Sequence, residues 1–238
     1  MDLLGALEST DGTICVVGGG GKKTTLYSLA SRLENAIVTS TVRIPIFDSQ
    51  VRHVEVTEDP VGYLEGSDEI DFPIGLVPER EREDRYRGYE PETVDALAGV
   101  HDGPVLVKAD GARTRDFKAP AENEPQLPKT ADVVIPVVSV HVVGKPLIEE
   151  WVHRPERVAA LAEIEAGEEI TTDVVATVIA SENGGAKGVP AEATLIPLLT
   201  KVDSSEHERA AREIAEKIHD KIDVPRVALA RFEAFDAI

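Results

Sequence analysis

The stretch Ile14-Cys15-Val16-Val17-Gly18-Gly19-Gly20-Gly21-Lys22-Lys23-Thr24-Thr25-Leu26 decides the fold. An apolar run reads as a buried strand over 13–17, and four glycines make a tight turn. Leu26, Leu29, Ala30 and Leu33 then recur at helical spacing, which predicts a helix over 24–34. Strand, glycine turn and helix N-terminus together form the setting in which backbone N–H groups hold a phosphate. The bare alternative is a glycine-rich turn with no ligand. The two lysines beside it favour the phosphate.

Apolar runs at 36–40, 104–111, 131–138, 193–199 and 227–230 predict further strands, with Pro197 tolerated near an edge or a bulge. Helical patterns cover 89–98, 155–163, 171–180 and 205–220, the last opened by a Ser205–Glu208 capping box. The alternation predicts an α/β fold of three layers, P-loop NTPase-like, built on a mainly parallel sheet. The 238 residues suit a single domain, 1–238. Within it, residues 45–88 are polar and weakly periodic, with short strands at 53–56 and 74–77, and read as a lid or an insertion.

Forty-four acidic against 25 basic residues give a net charge of −19. Such a surface repels nucleic acid and anionic lipid, so neither is expected as a partner. The acids are spread along the chain, as in a protein solvated for a high-salt cytoplasm. No apolar run approaches the ~20 residues that span a bilayer, and no secretory signal pattern opens the chain. A cytoplasmic location is the expectation. The single cysteine, Cys15, lies inside the first strand and reads as a small buried hydrophobe.

The full G-x-x-x-x-G-K-[ST] spacing is not met: Val16 stands where the first glycine would, and Lys23 where the hydroxyl would follow Gly-Lys. What remains is a compressed loop, Gly18, Gly19, Gly20 and Gly21, followed by Lys22, with hydroxyls one step late at Thr24 and Thr25. A dinucleotide fingerprint fits worse, since Lys23 holds its third glycine position and the second strand ends in Thr39-Ser40-Thr41, without an acid for a ribose. Asp110, at the carboxyl end of an apolar strand, is either a turn-forming Asp-Gly or the carboxylate that holds Mg2+. Thr24 and Asp110 are then the expected metal ligands. Thr200-Lys201-Val202-Asp203 follows another strand, as the guanine-reading turn of GTPase-like proteins does, though Lys-x-Asp is also frequent by chance. Arg113, Arg115 and Lys118 crowd the segment after Asp110 and are set to face phosphates. His153 reads as structural, and the other histidines lack metal-ligand spacing.

These strings, in this order, resemble the YqeC family of selenium-dependent hydroxylase accessory proteins. The similar blocks are Gly18–Thr24, Thr39-Ser40-Thr41-Val42-Arg43, Lys108-Ala109-Asp110-Gly111, Phe117-Lys118-Ala119-Pro120, Glu124-Pro125 with Pro128, Val152-His153-Arg154-Pro155 and Thr200-Lys201-Val202-Asp203. They span about residues 13–235. The chain departs from the family pattern at Lys23, where threonine is usual, and at Lys108, which replaces an acid. The resemblance implies a small P-loop NTPase acting in maturation of molybdenum hydroxylases, with such an enzyme or its cofactor as partner. GTP or ATP with Mg2+ are the expected cofactors. Lys22, Asp110 and Arg113 are the expected catalytic groups. The phosphates and base would meet Gly18–Thr25, Lys118, Thr200, Lys201 and Asp203. A phosphoryl- or nucleotidyl-transferase and a non-catalytic nucleotide-binding scaffold are the alternatives.

Overall fold

The computed structural model describes residues 3–67 and 69–231; residues 1–2, 68 and 232–238, the ends of the expected domain included, lie outside the described residues. The chain forms one large sheet from strands β1 (Thr13–Gly18), β2 (Ile37–Ser40), β3 (His53–Val56), β4 (Ile74–Val77), β5 (Val105–Lys108), β6 (Ala131–Ser139), β7 (Thr194–Leu195), β8 (Leu198–Thr200) and β9 (Ala228–Leu229). Their order is β9-β8-β6-β1-β5-β2-β4-β3, with β7 also paired to β6. Every pairing in this sheet is parallel. The fold is thus α/β with a mainly parallel sheet, consistent with a P-loop NTPase-like three-layer arrangement.

Helices cover both faces, and the period-2 alternation of strand side chains shows how. Ile14 and Val16 of β1, with Leu106 of β5, pack against Leu26 and Leu29 of the helix Lys22–Ala30. Cys15 and Val17 of β1, with Val105 and Val107, turn the other way, onto Val94 and Leu97 of the helix Pro91–Val100. Both sets are buried, so the strands carry continuous apolar runs. A further cluster joins Val138 and Leu199 to the helices Pro155–Ala162, Thr172–Ala180 and Ser205–Lys221. Cys15 is fully buried, and that burial pushes its thiol well above the ordinary range.

Three local expectations shift. A short helix, Leu3–Leu7, precedes the sheet, and the helix after the glycine turn begins at Lys22, two residues early, with Gly21 as its N-cap. The last long helix is capped by Ser204, whose side chain accepts from His207 N, so no Ser205–Glu208 box forms. The 193–199 run breaks into β7 and β8 around Pro197, which has no N–H for the ladder. The 45–88 segment adds β4 and β3 to the sheet edge, and its ends pair as Ile44–Pro45 with Arg85–Tyr86. Among the described residues, no helix is long and apolar enough to cross a membrane.

Leu106 is fully buried at the centre of the sheet. Leu106→Ala is expected to lower unfolding free energy by about 3 kcal/mol, read by denaturant unfolding in molar KCl. A loss below ~1 kcal/mol would contradict its place in a close-packed layer.

Candidate functional site

Because the strands are parallel, the segments that follow them gather along one edge of the sheet, the usual place for a ligand in such folds. There the glycine loop after β1 meets the segments after β2, β5, β6 and β8. Gly18, Gly20 and Gly21 have φ of 90, 72 and 149°, a backbone that side chains resist. A Cβ on Gly18 would stand on Val137 O, and one on Gly20 on Asp116 O and Ser139 N. The loop is accordingly clamped: Gly19 N donates to Val137 O and Gly20 N to Arg115 O, each at 2.8 Å. Thr200 Oγ1 donates to Gly20 O from the far side.

Beneath the loop lies a buried charge network. Asp110, 2% exposed, accepts from Gly18 N at 2.8 Å through Oδ2. Lys22 Nζ lies 2.7 Å from Oδ1 and donates to Gly18 O, so its contact with Asp110 is an ion pair rather than an aligned hydrogen bond. Lys118 Nζ lies 3.0 Å from Asp110 Oδ2 and 2.7 Å from Glu124 Oε2, which Arg154 also reaches at 2.8 Å. Burial pushes the Asp110 carboxyl up, but Lys22 and Lys118 outweigh it and hold it at about 2. Burial, only partly offset by Asp110, lowers the Lys22 ammonium. Burial drives Glu124 upward too, and Lys118 and Arg154 more than reverse it.

Above the loop opens a cavity of about 630 Å³. Lys22, Lys23 and Thr24 line it from the first turn of the helix, whose leading N–H groups have no intrahelical acceptor and meet no side chain from the Gly21 cap. Arg43, Arg85, Lys108, Arg113, Arg115, Arg154 and Lys201 line it as well. These are nine of the chain's 25 cations, against only Asp116 and Glu124 among its 44 acids. Lys23, Lys108, Arg113 and Arg115 have no carboxylate partner among the described residues. Arg113, Thr114, Arg154 and Lys201, all lining the cavity, adopt positive φ despite their side chains. Burial, then the charge of Lys22, lowers Lys108 to about 7. Partial burial and Arg154 lower His153, also on the wall, to about 4. A hollow of about 310 Å³ at the opposite edge, by Asn35, Leu64, Phe72 and His101, gathers no such charge.

The expected site residues therefore divide. Gly20, Gly21, Lys22, Lys23, Thr24, Arg113 and Lys201 share the cavity. Gly18, Asp110 and Lys118 lie under it, and Thr25 turns its hydroxyl back to Gly21 O. Thr200 holds the loop, Lys201 pairs with Asp116, and Asp203 stands outside the cavity against His141 and His207. Those two histidines, without ligand spacing in the chain, meet in space. Sequence reasoning did not single out Arg85, Asp116 or the wall role of Arg154. Arg43 and Arg154 carried a signal, since each follows a strand inside a motif string.

The family model described as "YqeC protein" matches residues 14–156. A protein of Escherichia coli (strain K12), "Uncharacterized protein YqeC", is 26% identical over 232 residues, covering 94% of this chain and 89% of the relative. No solved structure matches.

Asp110→Asn keeps an oxygen for Gly18 N–H but leaves two ammonium groups without the charge between them. It is expected to cost about 3–5 kcal/mol of stability. In the wild type, the folded Asp110 pKa of about 2 lies below its ordinary 3.8. Its contribution, roughly 2 kcal/mol, is present above pH 4 and lost as pH falls through 2. Urea unfolding of both proteins between pH 7 and 2 reads this; equal acid sensitivity would contradict it.

Proposed function

This chain belongs to the YqeC family, and we propose that it binds a nucleoside triphosphate, GTP or ATP, with the phosphates in the cationic cavity. One observation carries the reading: four basic residues without carboxylate partners among the described residues, Lys23, Lys108, Arg113 and Arg115, line one cavity with a helix N-terminus in a protein of net charge −19. A polyanion supplies the missing charge, and the low-dielectric wall strengthens each contact. The N–H groups of Lys22, Lys23 and Thr24 would receive phosphate oxygens. Arg113 and Arg115 would grip the terminal phosphate from the opposite wall.

Magnesium fits this arrangement poorly. Lys22 and Lys118 already neutralise Asp110, which lies outside the cavity, so of the two expected ligands only Thr24 faces the phosphates. Binding is therefore expected without Mg2+, and turnover is expected to be slow, because the two carboxylates that line the cavity are already engaged, Glu124 by Lys118 and Arg154 and Asp116 by Lys201. A slow NTPase cycle in a factor for molybdenum hydroxylase maturation is the role the family resemblance supports. The size of the cavity, about 630 Å³, favours a second reading, in which a phosphorylated acceptor shares the far wall with the nucleotide and receives a phosphoryl or nucleotidyl group. Product analysis separates the two: hydrolysis yields free phosphate without any acceptor.

Equilibrium binding of GTP, ATP and CTP, with and without Mg2+ in molar KCl, tests the proposal. One triphosphate should bind in the micromolar range, and Arg113→Ala should weaken it about 10-fold or more. A polyanion raises the Lys108 pKa from about 7, so affinity should fall as pH rises from 6.5 to 8.5, and Lys108→Met should flatten the profile. No binding by any of the three would sink the assignment.

A further inference from the structure

Asp203 was expected to read a purine base, yet it is turned away from the cavity and toward two histidines. His141 sits in the short 3-10 turn Val140–Val142 that directly follows β6. Asp203 and His207 bracket the first turn of the helix Ser205–Lys221, which follows β8. Adjacent strands β6 and β8, in register at Ser139 and Thr200, thus deliver all three side chains to one point.

We propose that His141, Asp203 and His207 form a binding site for one divalent transition-metal ion of the zinc, cobalt or nickel kind. His141 Nε2 lies 3.1 and 3.2 Å from the two Asp203 oxygens, and His207 Nδ1 makes a short contact with Oδ1. One donor atom from each residue falls within 4.8 Å of the others. Tetrahedral ligand atoms about 2.0–2.1 Å from zinc stand roughly 3.3 Å apart, so small side-chain adjustments close this set around an ion. The imidazole rings are 4.5 Å apart and tilted by 40°. Burial does not force the grouping: the side chains are 33, 47 and 32% exposed, and water would satisfy each of them separately.

The ligand set selects the metal. Two imidazoles suit zinc, cobalt, nickel and copper, whereas Mg2+ and Ca2+ take oxygen ligands. Three protein ligands at the surface leave at least one position for water or a further donor. The supports are rigid. His141 N donates to Ser139 Oγ at 3.3 Å, and Ser204 caps the helix through His207 N. Val140 and Val142 share a core cluster with Ala211, Ile214 and Ile218 of that helix. The ion would pin the turn after β8, where Thr200 holds Gly20 O and Lys201 enters the cavity. The site nonetheless stands independently of the nucleotide reading.

The test uses full-length protein stripped with EDTA and exchanged into chelator-free buffer. Zinc chloride is titrated in competition with a chromophoric chelator, and cobalt chloride is followed by visible absorption. One ion per chain is expected, at micromolar affinity or tighter and undisturbed by millimolar Mg2+. His141→Gln and His207→Gln should each weaken binding about 100-fold or more, since losing even an outer partner of a metal ligand costs about 10–100-fold. Both should also abolish the cobalt bands, while His101→Gln leaves them intact. Circular dichroism establishes that the variants are folded. Absence of stoichiometric binding by the wild type, or binding that survives in both ligand variants, would overturn the proposal.

Discussion

The ion pairing of buried Asp110 with Lys22 and Lys118 is the contact on which this edge of the sheet depends. It joins the end of β5 and the strand Phe117–Lys118 to the glycine loop after β1, with Gly18 and Asp110 92 residues apart in sequence. A carboxylate so deeply buried is costly unless every oxygen meets a positive partner. Here one oxygen takes the Gly18 N–H and Lys118, and the other faces Lys22. The same pairing holds Lys22 beside Gly18, while Lys23, Thr24 and the arginines of the 113–115 segment line the same cavity with it.

Charge is sorted within the molecule. The acidic exterior keeps the chain soluble through like-charge repulsion, and at high ionic strength exposed charges are screened beyond roughly a Debye length of ~3 Å at 1 M. A lined cavity suffers less from that screening, because part of its wall is protein. Nine of the 25 cations line it, five of them paired with carboxylates, so positive charge is concentrated where salt screens it least. Arg113, Thr114, Arg154 and Lys201, all lining the cavity, hold left-handed backbone at a conformational cost.

Much of this was legible in the sequence, for physical reasons that also mark where legibility stops. The run Ile14–Val17 reads as a strand because burial on both faces demands continuous apolar residues, and the Gly18–Gly21 turn because glycine takes positive φ, as at Gly18, Gly20 and Gly21, without the cost a side chain adds. The cap at Ser204 was missed by one residue, since two adjacent serines offer the same hydroxyl and only backbone geometry chooses between them. The fates of Asp110 and Asp203 were not legible. Each follows a strand as a motif acid does, but Lys118 and His141 reach them by chain paths that local pattern does not encode. The same holds for the cavity, whose cations come from six separate segments, several of them brought to one edge by the parallel strands they follow. The 45–88 segment looked peripheral because its strands are short and edge-placed, with half-exposed β3 giving little hydrophobic signal.

The central claim is that a polyphosphate enters between the first turn of the helix at Lys22 and the 113–116 wall. Backbone amide shifts of the labelled protein, titrated with tripolyphosphate in molar KCl, test it most directly. The account predicts the largest shifts at Gly21–Thr24 and Arg113–Asp116, with Asn35, Phe72 and His101 unmoved. Shifts centred on the far hollow, or none at either place, would contradict it.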